Sequence, residues 1–194
     1  MTFKVIAMDY KKSPLDLTIK TITDAGIEFE YIPCKSENDM IQAGKNADVI
    51  LVGTVPHTTG TVIESLPKLK MIARHGVGVD SVDLVAATEK GICVTNTPGV
   101  NTSEVADHAV ALLLSITRNI PYLNDALKQG HWSNPPEGKN ISSLTSNLRR
   151  ISGNTVGIFG FGNIGKAFAS RIRGFGPGRI IACDPYVNQT SADL

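Results

Sequence analysis

Along its first hundred positions the chain alternates short apolar runs with amphipathic or polar stretches of helical length. The runs FKVIAMD (3–9), IEFEYIP (27–33), DVILVG (48–53), KMIAR (70–74) and ICVTN (92–96) have strand length and are rich in Val and Ile. Between them, 15–25, 38–46 and 82–90 are predicted helices, the last closed by Gly91 as a C-terminal cap. Strands alternating with helices predict a parallel sheet covered on both faces. Residues 1–100 are therefore expected to form one compact α/β domain.

The pattern changes at TPGVNTSEVADHAVALLLSITRN (97–119). Pro-Gly ends the preceding strand, and Asn101 with Glu104 predicts a capping box. Val105, Ala109, Leu112, Leu113 and Ile116 follow at helical spacing, and the helix is apolar on nearly every face. It is expected to lie between two bodies of protein. Residues 119–153 carry Pro121, Gly130, the single Trp132 and Pro135-Pro136, and predict an extended connection with broken helical pieces. A second α/β unit opens at Thr155, which places 101–194 in a separate domain.

That unit holds the most informative motif. TVGIF (155–159) is a buried-strand run, GFGNIG (160–165) a turn, and KAFASRIRGF (166–175) a helix. Ile164, Ala167, Phe168, Arg171, Ile172 and Phe175 are the expected inner stripe. In a dinucleotide-binding turn Gly160 allows the tight bend, Gly162 admits a pyrophosphate to the backbone, and Gly165 lets helix and strand pack closely. The amides near Asn163 and Ile164 would face the phosphates. A second strand, RIIACD (179–184), ends in Asp184, roughly 20 residues past Gly165, the interval at which an acid holds the ribose hydroxyls. A glycine-rich turn in an ordinary βαβ unit would explain the glycines alone. Strand, glycines, helix, strand and acid in that order favour NAD.

Composition narrows the classes. With 42% hydrophobic and 19% charged residues the chain can bury a core, and a formal net charge of +1 gives no electrostatic footprint for nucleic acid or an anionic membrane. Arg149-Arg150 is too short a basic run to alter that. Cys34, Cys93 and Cys183 lie far apart, without C-x-x-C spacing, and are expected to be buried, reduced thiols of a cytoplasmic protein. The N-terminal apolar run is too short for a signal peptide, and Asp107 and His108 interrupt the most apolar helix short of a membrane span. No cluster has metal-ligand spacing, and no Ser or Cys nucleophile motif is present.

Four blocks together carry a family resemblance: ARHGVGVDSVDL (73–84), GICVTNTPGVNTSEVADHAVALLL (91–114), LKQGHW (127–132) and NTVGIFGFGNIGKAFA with DPY (154–169 and 184–186). The chain resembles the NAD-dependent D-isomer-specific 2-hydroxyacid dehydrogenases, particularly their phosphoglycerate dehydrogenase-like members. The resemblance implies a flavodoxin-like substrate domain, 1–100, then the first part of a Rossmann nucleotide-binding domain within 101–194, with the active site in the cleft between them. It implies that Val77 and Gly78 meet substrate and nicotinamide. Asn101 and Thr102 would begin the interdomain helix on that cleft, and Asn163, Ile164 and Asp184 would hold NAD. It further implies a small 2-hydroxy acid as partner, and a homodimer, typical of the family, if the nucleotide domain is complete.

Departures from the family pattern accompany these matches. The loop VGTVPHTTG (52–60) has no Arg, the residue with which phosphoglycerate dehydrogenase-like members hold an anionic substrate. GFGPGRIIACD (174–184) is one residue longer than the usual link and is expected to displace Asp184 slightly. The family's catalytic Arg, Glu and His come from a region after the second nucleotide-domain strand, beyond Leu194. The chain is therefore expected to be truncated and inactive alone, with no catalytic residue of its own. A non-catalytic NAD-binding or interaction module, or a degraded gene product, is the alternative.

Several residues invite other readings. His57 in PHTT belongs to the first domain and is read as a loop residue, and His75 as a cleft or loop residue. His108 beside Asp107 is read as a hydrogen-bonded core or interface residue rather than half of a relay, because neighbours on a helix point apart. His131 is expected to pack at the connection. Arg74 is read as a cation tying down its loop as readily as a substrate clamp.

Overall fold

The apolar runs of the first hundred residues become β1 (Lys4–Ala7), β2 (Glu28–Tyr31), β3 (Val49–Val52), β4 (Met71–Arg74) and β5 (Cys93–Thr95). All four pairings are parallel, in the order β2-β1-β3-β4-β5, that of flavodoxin-like doubly wound sheets. The computed structural model describes residues 3–9, 15–138 and 140–188. The chain divides into two compact units, Met1–Val100 and Asn101–Leu194.

Register explains the first core. Ile6 pairs with Ile50 and Ile50 with Ile72, so one row of isoleucines crosses three adjacent strands on one face. All three are fully buried, among Met8, Met40, Val62, Ile63 and Leu66. On the other face Val5 and Ala7 are buried, but their neighbours Val49, Leu51 and Met71 are only half-buried, which is less cover than the sequence pattern predicts.

The helices of this unit are α1 (Asp16–Asp24), α2 (Glu37–Gly44), α3 (Gly60–Glu64) and α4 (Leu84–Glu89). Gly91 follows α4 at φ 67, the left-handed conformation expected of a helix-ending glycine. The pattern does not predict α3. Its five residues are too few to display a helical period, although Val62 and Ile63 are fully buried. At α2, Ser36 Oγ accepts from the Asp39 N–H at 3.2 Å while Asp39 accepts from the Ser36 N–H at 3.0 Å, a capping box. Ser36→Ala is expected to cost about 1 kcal/mol, read as a lower urea midpoint with an unchanged m-value.

The second unit contains α5 (Thr102–Thr117), α6 (Ile120–Lys128), α7 (Ile141–Thr145), β6 (Thr155–Phe159), α8 (Asn163–Ile172) and β7 (Arg179–Cys183). The capping box expected at Asn101 does not form. Asn101 has φ −120 and ψ 18, outside the extended conformation that aims an N-cap side chain at the first turn, and it makes no such bond. α5 packs on α8, where the Arg171 guanidinium pairs with Asp107 and donates to Ser103 Oγ at 3.1 Å. Ala106 is buried, but Leu112 and Ile116 are exposed, so α5 is not covered on every side as its composition suggests.

The inner stripe of α8 also differs from expectation. Ala169 and Ile172 are the buried residues, while Ile164 and Phe175 are exposed. The contact face is set by Gly165, where backbone approaches most closely, and counting in helical turns from there reaches Ala169 and Ile172. Ile164, one residue earlier, is rotated off that face by about 100°.

β6 and β7 pair in parallel from Thr155↔Arg179 to Phe159↔Cys183, a two-stranded sheet among the described residues. The link between α8 and β7 is absorbed by a 3-10 turn, Arg173–Phe175, and a left-handed Gly176. Two bonds clip it to the residues before β6: Gly153 N–H to Gly176 O and Gly178 N–H to Asn154 O, both 2.9 Å. The additional residue is taken up there and does not move Asp184 away from the glycine turn. The cysteines follow topology rather than the expected burial. Cys34 is buried, and burial pushes its thiol up to about 11, whereas Cys93 and Cys183 lie on edge strands and are exposed; all three are free.

Candidate functional site

The turn after β6 is held by residues that the glycine pattern leaves open. The Phe161 ring is buried with Ile158 and Ala169, with Phe168, Ile180 and Val187 packed around it. Its N–H donates to Asp184 Oδ2 at 2.6 Å, and the Gly160 N–H donates to Cys183 O at 2.9 Å. The start of α8 is thereby stitched to the end of β7.

The three glycines differ in what the fold asks of them. Gly160 has φ 89, where an L side chain is strained. Gly165 has an ordinary φ, but a Cβ there would run into the carbonyl oxygen of Gly160. At Gly162 the backbone is extended and a Cβ would meet nothing within 4 Å. The protein itself therefore does not require glycine at 162, and the open space fits a group that must approach the backbone from outside. Gly162 is the N-cap of α8 and brings no side chain. The first amides, at Asn163 and Ile164, have no acceptor within the helix and lie at the positive end of its dipole.

Asp184 completes the arrangement. Besides the Phe161 amide it accepts from the Tyr186 N–H, through Oδ1, at 2.8 Å. The Phe161 amide, first, and the Tyr186 amide hold its pKa below the usual carboxylate value, with the Lys166 charge a smaller contribution. A depressed folded-state pKa stabilises the fold above the ordinary Asp value, and that contribution disappears as pH falls through the folded one. At neutral pH Asp184 is an anion. An open backbone at a helix N-terminus beside a fixed carboxylate has the donor and acceptor set for a pyrophosphate and a ribose diol. Two cavities, of about 550 and 220 Å³, lie elsewhere, against Thr117, Arg149 and Arg150, and neither includes a residue of the turn.

In the first unit, the loop after β4 is organised by its neighbours. Arg74 donates to His75 O at 2.8 Å and to Thr54 Oγ1 at 3.0 Å, tying the ends of β3 and β4 together. Asn96 Nδ2 donates to Val77 O at 2.7 Å, and the Thr97 N–H to Gly76 O at 2.9 Å. Val77 and Gly78 are left exposed on a loop whose backbone is pinned from β5. Asn96 and Phe161 are the two supporting residues that sequence reasoning missed. Each acts through a backbone group, and only their positions beside VG and between two glycines hint at it. Asp9, at the end of β1, has its pKa raised by burial, with the charges of His75 and Arg74 opposing.

Asn101 and Thr102 belong to the second unit, Asn101 exposed and Thr102 half-buried. His57, His75 and His108 are exposed, and Asp107 pairs with Arg171, so His108 is neither a core residue nor a relay partner. His131 is half-buried beside the exposed Trp132. Among the described residues no group of three His, Cys, Asp or Glu could hold a metal ion, and no helix is long and apolar enough to cross a membrane.

Comparison with known proteins agrees with this fold. The family model described as "D-isomer specific 2-hydroxyacid dehydrogenase, catalytic domain" matches residues 8–183. The chain belongs to that family. It is 37% identical over 175 residues to the D-3-phosphoglycerate dehydrogenase of Methanocaldococcus jannaschii, a match covering 90% of this chain and 31% of the relative. It is 37% identical over 181 residues to the hydroxypyruvate reductase of Thermotoga maritima, covering 91% and 55% respectively. Among solved structures, an NAD-dependent formate dehydrogenase from Staphylococcus aureus in complex with NAD superposes with a TM-score of 0.74 at 30% identity, over 96% of this chain and 58% of the other. The chain thus spans about a third of the phosphoglycerate dehydrogenase and just over half of the reductase.

Proposed function

We propose that residues 101–194 bind NAD through the Gly160–Gly165 turn, the first turn of α8 and Asp184, and that the protein serves NAD-linked hydride transfer to or from a 2-hydroxy acid. The observation that carries this reading is the Asp184 carboxylate fixed against the glycine turn at Phe161. The phosphates meet the Asn163 and Ile164 amides with Gly162 leaving room, and the ribose hydroxyls donate to Asp184. NAD, when bound, supplies or accepts the hydride. Residues 1–100 take the substrate, with Val77 and Gly78 on the loop pinned by Asn96 as its contacts, and Asn101 and Thr102 are assigned to substrate and nicotinamide by the family resemblance alone. No residue of this chain is assigned as the base or the polarising cation, so the NAD-binding half rests on observed geometry and the chemical half on family membership.

A cytoplasmic homodimer belongs to the same reading. Free cysteines support the compartment, and exposed Ile120, Tyr122, Leu127 and Trp132 on and beside α6 support self-association.

Calorimetry with NAD and NADP tests the proposal. NAD is expected to bind more tightly, because the Asp184 anion repels a 2′-phosphate, and Asp184→Ala should weaken NAD and narrow the gap. Absence of any NAD binding would remove the reading. NAD binding without turnover is the outcome expected of this chain, to which no base or polarising cation is assigned.

A further inference from the structure

Only two hydrogen bonds join the Gly160–Gly162 backbone to the end of β7 among the described contacts. One is backbone to backbone, Gly160 N–H to Cys183 O, and survives any substitution. The other depends on a side chain, since the Phe161 N–H has the Asp184 carboxylate as its acceptor. That carboxylate is in turn held by the Tyr186 N–H on its other oxygen. A carboxylate offers about four lone-pair sites, and with the Phe161, Tyr186 and Val187 amides donating, one remains for a ribose hydroxyl. Bracing the turn and accepting a ribose hydroxyl are thus separable tasks of one side chain.

We infer that Asp184 is a positioning residue for the phosphate-binding turn, acting through the Phe161 N–H independently of any ribose contact. The bond fixes the peptide between Gly160 and Phe161, one residue before Gly162, and so sets the direction from which α8 presents its first amides. Without the acceptor the Phe161 amide, flanked by two glycines, is free to rotate away. The inference rests on the dinucleotide reading for its ligand, and the test separates the two.

The ligand that distinguishes the tasks is 2′,3′-dideoxy-ADP, which keeps the pyrophosphate and lacks both hydroxyls. Its affinity for the 194-residue protein would be measured beside that of NAD, in wild type, Asp184→Ala and Asp184→Asn. Asp184→Ala is expected to weaken the dideoxy ligand on the order of tenfold, the scale of a charge-assisted hydrogen bond. Asp184→Asn keeps an oxygen that can accept the Phe161 N–H and should bind it nearly as wild type does. In parallel, hydrogen exchange at the Phe161 amide, which needs no ligand, should be fast in the Ala variant and slow in the Asn variant and wild type. Exchange in β1–β5 serves as the folding control. Unchanged dideoxy affinity in Asp184→Ala while NAD affinity falls would confine Asp184 to the ribose and overturn the inference. Unchanged exchange at Phe161 would overturn it equally. If wild type binds neither ligand, the dinucleotide reading fails, and the exchange data still decide whether the brace exists.

Discussion

Replacing Gly165 by Ala is expected to destabilise the second unit by about 1–3 kcal/mol, the range for forcing an extra methyl into a packed site. Alanine gains up to about 1 kcal/mol of helix propensity over glycine, so the loss is smaller than the overlap alone would cause. The overlap still dominates, because the obstacle is the backbone oxygen of Gly160, which has no alternative rotamer. α8 must move away from β6 and take its first amides with it. NAD affinity should therefore fall on the order of tenfold as well, each factor of ten being 1.4 kcal/mol. Urea unfolding followed through the single Trp132, which lies in this unit, reads the stability. Gly162→Ala is the matched control. Its Cβ meets nothing, so stability should stay within about 0.5 kcal/mol while NAD binding is lost. Equal stability loss in both variants would show that the glycines serve packing alone.

In the first unit the largest expected effect is at Ile50. It sits in the central strand with Ile6 on one side and Ile72 on the other, and none of its side chain reaches solvent. Ile50→Ala removes the middle of that row and should cost about 2–5 kcal/mol, spread between lost burial and an unfilled cavity. Such a loss is a large part of the stability of an ordinary domain. Far-UV circular dichroism in urea gives the midpoint. A change below about 1 kcal/mol would mean that the surrounding side chains collapse into the space.

The parts of the fold written in short-range pattern were legible. All five strands of the first sheet fall inside the apolar runs, and β6, α8 and β7 follow the order that the glycine motif demands. Asp184 could be named from spacing, and the structure puts its carboxylate on the turn. What escaped the sequence depends on direction rather than periodicity. α3 is too short to repeat. Asn101 has the right residue type for a cap and the wrong backbone angles. The face of α8 is chosen by one close approach at Gly165. The exposure of Cys93 and Cys183 reflects which strands lie at edges, a property of the whole sheet. Phe161 and Asn96 act through an amide and towards a carbonyl, and no residue-type pattern marks such a contact.

Every pairing of the first sheet closes within the stretch from Lys4 to Thr95, before the glycine turn begins. During synthesis the ribosome therefore releases a sheet whose hydrogen-bonding partners are all already made while the second unit is still being translated. Domains generally fold as units, N-terminal first, at synthesis rates of about 5–20 residues per second. The exposed apolar surface of a nascent chain is a hazard for as long as it waits for a partner, and here the isoleucine row waits for nothing downstream. Synthesis order and sheet order agree, so the first unit can bury its core before the residues from Thr155 onward leave the ribosome.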